Sequence, residues 1–501
     1  MNDIAVISLI TVPLATALAV LVLDLKKQAG WLTVAASVFI AAVVLLMGRE
    51  VVTDGPQSAY HDWFYVDELG VIVLALIALV GVCAALNSLG YIEHEVAEHD
   101  LTGDEDAPRG IAREDTTRYY ALFLGFMATM VAVPVVNNLG LMWVAIEATT
   151  VVSVLLVSIN RTGQSLEAAW KYLVIGSVGI AMALFGTMMT YYAASSFLGE
   201  SSVALNWTSL RTAGAQLDPE VMRVAFVFIV IGYGTKVGLA PMHTWLPDAH
   251  SQAPSPVSGL LSGVLLNCAL YAILRFSILT SEATGSAYTD HILIAFGLFS
   301  IVLAVPFLVV QHDIKRLLGY HSVEHMGIIV LAIGVGGSTA LYAAMLHMVA
   351  HSLTKSSLFF AAGGVVQAFN SRSMHRMRGL LRIMPVAGVA LVLGAFALAG
   401  LPPFAMFTSE YGLMSGAFST GQGAIGVAGI FFVALAAASL LYHVVGVAYS
   451  EPRSGSTARA ASPAFAVSVI APLAVLVWIS IAPPDRFEDT LRAAVVILEG
   501  S

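Results

Sequence analysis

Charged side chains are scarce in this sequence of 501 residues: Asp, Glu, Lys and Arg make up 11% of it, against 58% hydrophobic residues. Soluble domains carry about 25% charged residues, so a soluble globular fold is excluded. Cysteine is nearly absent. Cys83 and Cys268 both sit in apolar stretches and no CxxC pair occurs, which removes iron–sulfur and zinc sites of the usual spacing. No GxGxxG opens a helix after a strand, so the nicotinamide and flavin fingerprint is missing. No cofactor is expected in this chain, and any redox chemistry is expected in a partner.

What is present is apolar sequence in long runs. A hydrocarbon core about 30 Å thick needs about 20 apolar residues per helical span. Fourteen segments meet or approach this, beginning near Ile4, Ala29, Glu68, Tyr119, Leu139, Ala169, Val221, Pro256, His291, His321, Thr339, Ile383, Ala424 and Pro463. The first is read as a span and not a cleaved signal, because it has no basic lead and a second span follows directly. The fold class is therefore an all-α integral membrane protein.

The net charge is −9, and the basic residues alternate by loop. Lys26, Lys27, Arg109, Arg113, Arg118, Arg161, Lys315, Arg316, Arg372, Arg376, Arg378, Arg382, Arg453 and Arg459 fall on one side. Arg49, Arg211, Arg223, Arg275, Arg486 and Arg492 fall on the other. The positive-inside rule puts the richer side in the cytoplasm and both termini outside. The acidic stretch His94–Asp115 is read as a solvated loop on the inner side.

Nine titratable residues lie inside spans or at their edges: Glu147, Lys171, Lys236, Glu324, His325, His347, His351, Lys355 and Glu410. An Asp, Lys or Arg near a helix centre costs roughly 2.5–3.5 kcal/mol on insertion scales. With Glu taken as similar, the six Lys and Glu residues would cost roughly 18 kcal/mol unpaired, above net stabilities of about 5–15 kcal/mol. They must face the bundle interior, pair, or meet water. One such residue is as readily a structural ion pair as a functional group; the accumulation favours function.

Glu147 has no local partner, and Lys236 is the nearest cationic candidate by chemistry. A Lys–Glu pair whose separation changes can load and release a proton. Pro241 follows Lys236 by five residues and should break the helix. Pro402 and Pro403 repeat the device before Glu410. Irregular backbone at membrane depth is tolerated inside protein or beside a water cavity, and paired interrupted spans point to internal repeats with a midplane ion site. The spacing predicts two inverted five-helix repeats, spans 4–8 and 9–13. The divisions are 1–117, 118–280, 290–450 and a tail of 451–501 with one span and a short interfacial helix.

His347, His351 and Lys355, spaced four and four, stack on one helix face as a stripe suited to proton exchange. Two of these histidines could hold a metal, but no third ligand appears at metalloprotease spacing, and no metal is expected. His321, Glu324 and His325 also share a face. They are read equally as a relay or as a solvated helix start.

These features resemble the proton-translocating membrane subunits of respiratory complex I, Mrp-type antiporters and membrane-bound hydrogenases. The matching stretches are Lys236 with Pro241–His250, Pro254–Pro256, Asp313–Leu317, His347–Lys355, and Gly400–Phe404 with Glu410. Within that superfamily Thr117–Leu122, Ala169–Tyr172, Tyr320–Gly327 and Leu401–Glu410 look most like the F component of hydrogenase-4, part of formate hydrogenlyase-type complexes. The resemblance implies a transporter without its own cofactor in which Glu147 pairs with Lys236, and span 11 and Glu410 form the second half-channel. It implies other membrane and peripheral redox subunits, the lipid bilayer and H+ or Na+ as partners, a prokaryotic cell membrane as location, and no nucleic acid. Two departures stand out. Asn267 occupies the span-8 position where relatives usually carry a lysine or histidine, and the chain has no long lateral helix. Three other readings stay open: an Mrp-type Na+/H+ antiporter subunit, an energy-coupled inorganic-carbon uptake subunit, and a structural anchor that no longer conducts.

Overall fold

The computed structural model describes residues 3–102, 110–198, 204–452 and 461–500. Arg109, Arg453 and Arg459 lie outside the described residues. Helices α1 (Asp3–Val22), α2 (Ala29–Asp54), α3 (Glu68–Thr102), α4 (Thr116–Val135), α5 (Leu139–Val157) and α6 (Gly163–Leu198) run up and down. A small hairpin, β1 (Gln57–Ala59) with antiparallel β2 (Phe64–Val66), joins α2 to α3. The short α7 (Trp207–Thr212) leads to an interrupted crossing, α8 (Pro219–Val237) and α9 (Trp245–Gln252), and a return through α10 (Ser255–Leu260) and α11 (Leu266–Thr284). Helices α12 (Ser286–Val309), α13 (Ile314–Val335) and α14 (Gly337–Phe369) follow. The short α15 (Leu380–Ile383) precedes a second interrupted crossing, α16 (Pro385–Leu398) and α17 (Ala405–Ser419), then α18 (Gly423–Tyr449), α19 (Pro463–Ile481) and the terminal α20 (Asp485–Glu499).

Twelve helices or helix pairs among the described residues are long and apolar enough to cross a membrane. The 33-residue α14 and the α16–α17 pair bring the crossings to the expected fourteen. Contacts between loops establish the alternation of sides. On the basic side Arg161 pairs with Asp115 at 2.7 Å, and Asp313 bridges to Ser373. On the opposite side Asn138 bridges to Asn206, and the Gln422 amide donates to the Val335 carbonyl at 3.1 Å. Helix starts follow the capping rule, in which a side-chain oxygen accepts from the first free N–H groups. Asn138, Asp218, Asp313 and Ser462 cap α5, α8, α13 and α19 in this way.

The two interruptions run in opposite senses. Helix α8 enters from the side opposite the basic loops and stops midway, whereas α16 enters from the basic side and stops midway. This is the inverted repeat expected from the sequence, α4–α11 against α12–α18. At the first break Gly238 adopts φ +83°, a left-handed conformation that closes α8 through hydrogen bonds to Gly234 and Thr235 and suits glycine.

Three sequence expectations are corrected. Helix α13 starts at Ile314, so His321, Glu324 and His325 lie two turns inside and fully buried; the solvated-start reading of this trio is wrong. Helix α3 extends to Thr102, so His94–Thr102 is helix and not loop, and Glu95 and Asp115 are buried. Arg275 and Lys315, counted as loop cations, are buried as well. Arg275 holds Asp67 through two bonds of 2.7 Å and lies 4.1 Å from the Trp207 ring centre, which ties α11 to the start of α3.

Candidate functional site

The first half-site forms where α8 stops. Lys236, in the last turn of α8, is 0% exposed, and its Nζ donates to the Tyr172 hydroxyl at 2.9 Å. The Tyr172 ring stacks on Trp245, the first residue of α9, with centroids 4.1 Å apart. The Trp245 indole N–H donates at 2.8 Å to the Thr235 carbonyl, which at the break has only the 3.3 Å bond from Gly238. A proline-terminated helix exposes such carbonyls, and this tryptophan satisfies one while walling the lysine.

Glu147 does not touch Lys236: among the described residues Lys236 makes no ion pair. Hydroxyls lie between them. The Thr150 hydroxyl donates to Glu147 at 3.1 Å, the Ser153 hydroxyl donates to the Thr150 backbone carbonyl at 3.2 Å, and Ser153 and Tyr172 hydroxyls lie 2.8 Å apart. Glu147, Thr150 and Ser153 share one face of α5 because they recur every three residues. The expected pair is thus not in contact, and the hydroxyls between its members are interrupted at the Thr150 carbonyl. Lys171, expected on the path, is exposed on the basic side and paired with Glu167 at 2.6 Å and Asp248 at 3.1 Å.

The second half-site is denser. His321 Nδ1 and Glu324 Oε2 are 3.0 Å apart, and the same oxygen is 3.5 Å from His325 Nε2. His325 Nδ1 meets His347 Nε2 at 2.9 Å, and His347 Nδ1 meets the Ser409 hydroxyl at 2.8 Å. Ser409 adjoins Glu410, so hydrogen bonds run from His325 to the neighbour of Glu410, while Glu324 reaches His325 only at the 3.5 Å ion-pair distance. His351 stacks obliquely 5.6 Å from His325, and Lys355 Nζ donates to the Leu318 carbonyl at 2.7 Å. At the second break Gly400 has φ +61°, and a Cβ there would lie 2.1 Å from Glu410 Oε2. Pro402 and Pro403 hold this break open as expected, as Pro241 does the first.

Between the halves stands His250, which the sequence reading passed over although it lies in the quoted Pro241–His250 block. It is 0% exposed and stacked on Phe359 at 4.9 Å. Among the described residues neither of its ring nitrogens has a hydrogen-bond partner, nor does either of His351. Buried polar groups are satisfied by protein or water, so these nitrogens are ready partners for water. Nearby, Asn267 donates to Gly263 at 3.0 Å and to Ser352 at 2.7 Å. It follows a π-helical turn, Leu261–Leu265, a distortion frequent at functional sites. Asn267 is a structural clamp at the position where a titratable residue was sought. Tyr172, Ser153 and Ser409 were also missed, since hydroxyls carry no signal in a sequence until their neighbours are known. The trio His321, Glu324 and His325 holds its ligand atoms within 4.8 Å of one another, but its Nδ1, carboxylate and Nε2 contacts are those of the relay.

A membrane bundle with two inverted, interrupted repeats and a buried line of lysines, histidines and carboxylates defines an ion-translocating antiporter-like subunit. The chain belongs to the family described as "NADH:quinone oxidoreductase/Mrp antiporter, TM", which matches residues 136–436. It is 42% identical over 419 residues to the hydrogenase-4 component F homolog of Methylacidiphilum infernorum, covering 84% of each chain. It is 29% identical to NADH-quinone oxidoreductase subunit N of Desulforudis audaxviator, covering 91% of this chain and 89% of that one. In fold it superimposes on a chain of the archaeal membrane-bound sulfane sulfur reductase with a TM-score of 0.85 at 22% identity, over 99% and 98% of the two chains.

Proposed function

We propose that this chain moves protons across a prokaryotic cell membrane as one subunit of a multi-subunit oxidoreductase of the hydrogenase or complex I kind, with no cofactor of its own. The observation that carries this reading is the line of titratable groups at membrane depth: the half-buried Glu147, then the buried Lys236, His250, Lys355, His351, His325, His347 and Glu410. Such residues in hydrocarbon are expensive unless they conduct or pair. Most of these do not form ion pairs, and their neighbours are hydroxyls and imidazoles that both accept and donate protons. The basic loops face the cytoplasm in this reading, and the termini face outward.

Two surface features support membrane partners. Glu147 is only partly buried by this chain although it lies mid-span. At the second break Leu401 is 36%, Phe407 42% and Tyr411 66% exposed. Irregular backbone and a carboxylate at membrane depth need protein beside them, and neighbouring subunits on the α5 and α17 flanks would supply it.

Reconstitution of the full chain in liposomes with a potassium diffusion potential and a trapped pH dye tests the reading. Proton flux above that of empty liposomes, lost in Lys355→Met, supports it. Flux that requires sodium would favour the Na+/H+ antiporter alternative. Absence of flux in the wild type, alone and with its co-purifying subunits, would sink both.

A further inference from the structure

At the basic side, the ends of α3, α13 and α14 hold a second group of buried titratable side chains that the line above does not use. Helix α3 has 35 residues, about 50 Å at 1.5 Å per residue, so its last turns extend past the hydrocarbon. Glu95 lies there, buried, and its Oε1 accepts from the Gln367 amide at 2.8 Å. The same amide donates to the Tyr91 carbonyl at 3.1 Å. Lys315, 3% exposed, donates to the Ala253 carbonyl at 2.5 Å and forms no ion pair among the described residues. Ala253, whose carbonyl Lys315 meets, caps the end of α9, which carries His250 three residues earlier, and Glu95 is an electrostatic neighbour of Lys315. His94 and Glu98 face Glu95 from its own helix, and Asp313 and Arg372 face Lys315.

Two cavities open on this side. One, of about 400 Å³, is lined by Lys171, Asp248, Asp313, Arg316 and Arg372. Its carboxylates are already committed: Asp248 to Lys171 and Arg316, Asp313 to the Ser251 hydroxyl and the cap of α13. The other, of about 480 Å³, is lined by Tyr91, His94 and Gln367 among others. Gln367 is both a wall of this cavity and the hydrogen-bond donor to Glu95, so water reaching the wall reaches the neighbour of a carboxylate that no cation holds.

We propose that Glu95 and Lys315 form the route by which protons from the basic side reach His250 and the second half-site, entering through the cavity walled by Tyr91 and Gln367. This rests on the proton-carrying reading above. A proton from cavity water converts the Glu95 carboxylate to the acid. The acid gives it through water to the neutral amine of Lys315, and the resulting ammonium gives it through water to a ring nitrogen of His250. Each transfer leaves the donor as its conjugate base, and no electron moves.

The test uses the full chain in the same liposomes. Glu95→Gln keeps the oxygen that accepts from Gln367 but cannot carry a proton. Lys315→Arg keeps the cation and the donor to Ala253 but does not release its proton. The expected result is an at least tenfold loss of flux in both, with yield and unfolding temperature retained in Glu95→Gln and flux largely restored in Glu95→Asp. A purely structural role for Glu95 predicts normal flux wherever the fold is retained. Wild-type flux in Glu95→Gln, with flux blocked in Lys236→Met, would overturn the uptake route and leave the conducting reading in place. No flux in the wild type would remove both.

Discussion

Replacing Lys236 by methionine separates stability from conduction. The lysine is fully buried, has no carboxylate in contact, and is held by one hydrogen bond to Tyr172 and by the Tyr172 and Trp245 rings at 4.7 and 6.0 Å. Burying an ammonium without a close counter-ion costs several kcal/mol even after relaxation. The hydrogen bond returns about 1.5–3 kcal/mol and the ring contacts about 2 kcal/mol. Methionine fills the same volume without the charge, and Tyr172 keeps its bond to Ser153 at 2.8 Å. The two sides nearly cancel, so unfolding stability should stay level or rise by about 1–4 kcal/mol, as when buried ions give way to apolar isosteres. Alanine is the poorer choice, because its cavity alone costs about 2–5 kcal/mol. Proton flux should fall at least tenfold, since the last turns of α8 carry no other Lys, His, Asp or Glu. The assays are dye-reported flux in liposomes and thermal unfolding in mild detergent. Normal flux would refute the role of Lys236. A loss of several kcal/mol with methionine would show that the charge holds the fold together.

Glu147→Gln should slow flux by less than Lys236→Met does, because the carboxylate acts on the lysine by its charge and without contact; the opposite ranking in the same flux assay would remove that argument. Gly400→Ala should cut flux sharply, because its Cβ would lie 2.1 Å from Glu410 Oε2, and should cost about 1 kcal/mol or more from the positive φ; unchanged flux would show that Glu410 need not stay where it is. Asp67→Asn should destabilise the chain by about 3–5 kcal/mol, because it leaves Arg275 buried without its counter-ion. Denaturant unfolding in detergent measures this, and a change under about 1 kcal/mol would show that water or Tyr271 replaces the carboxylate.

Apolar run length was enough to place the crossings, because a span must satisfy its backbone within itself and so must be long. The breaks were legible too, since glycine accompanies the proline there, Gly238 before Pro241 and Gly400 before Pro402 and Pro403, whereas prolines such as Pro306 and Pro472 stay within continuous helices. Helix ends were not. His321 looked terminal because Lys315 and Arg316 precede it, yet Asp313 caps the helix and the α9 ends pack over Lys315. Lys171 looked buried because its neighbours are apolar, but its side chain reaches Asp248 on the basic side. Hydropathy reports the average around a residue, and a long side chain escapes that average. His250 was hidden for the opposite reason: Asp248, Ser251 and Gln252 surround it in sequence and make it look solvated, while its ring stacks on Phe359 in the core.

The two breaks carry titratable groups of opposite sign on different half-helices. Helix α8 presents its C-terminal end to the midplane, and the partial negative charge there favours a cation, which Lys236 supplies. At the second break α16 likewise ends and α17 begins, and Glu410 lies in the second turn of α17 against Gly400. Each break thus offers one C-terminal and one N-terminal helix end, and the chain sets its lysine on the former at the first break and its carboxylate near the latter at the second. A proton passed from a charged Lys236 through His250 and the histidines to an ionised Glu410 neutralises both. A charge at either end is costly in a low-dielectric interior, so the state of each half-site bears on the cost of charging the other. On the proposed reading, uptake at one half and release at the other become a single coupled event, in which the transfer passes beside the neutral Asn267 through His250.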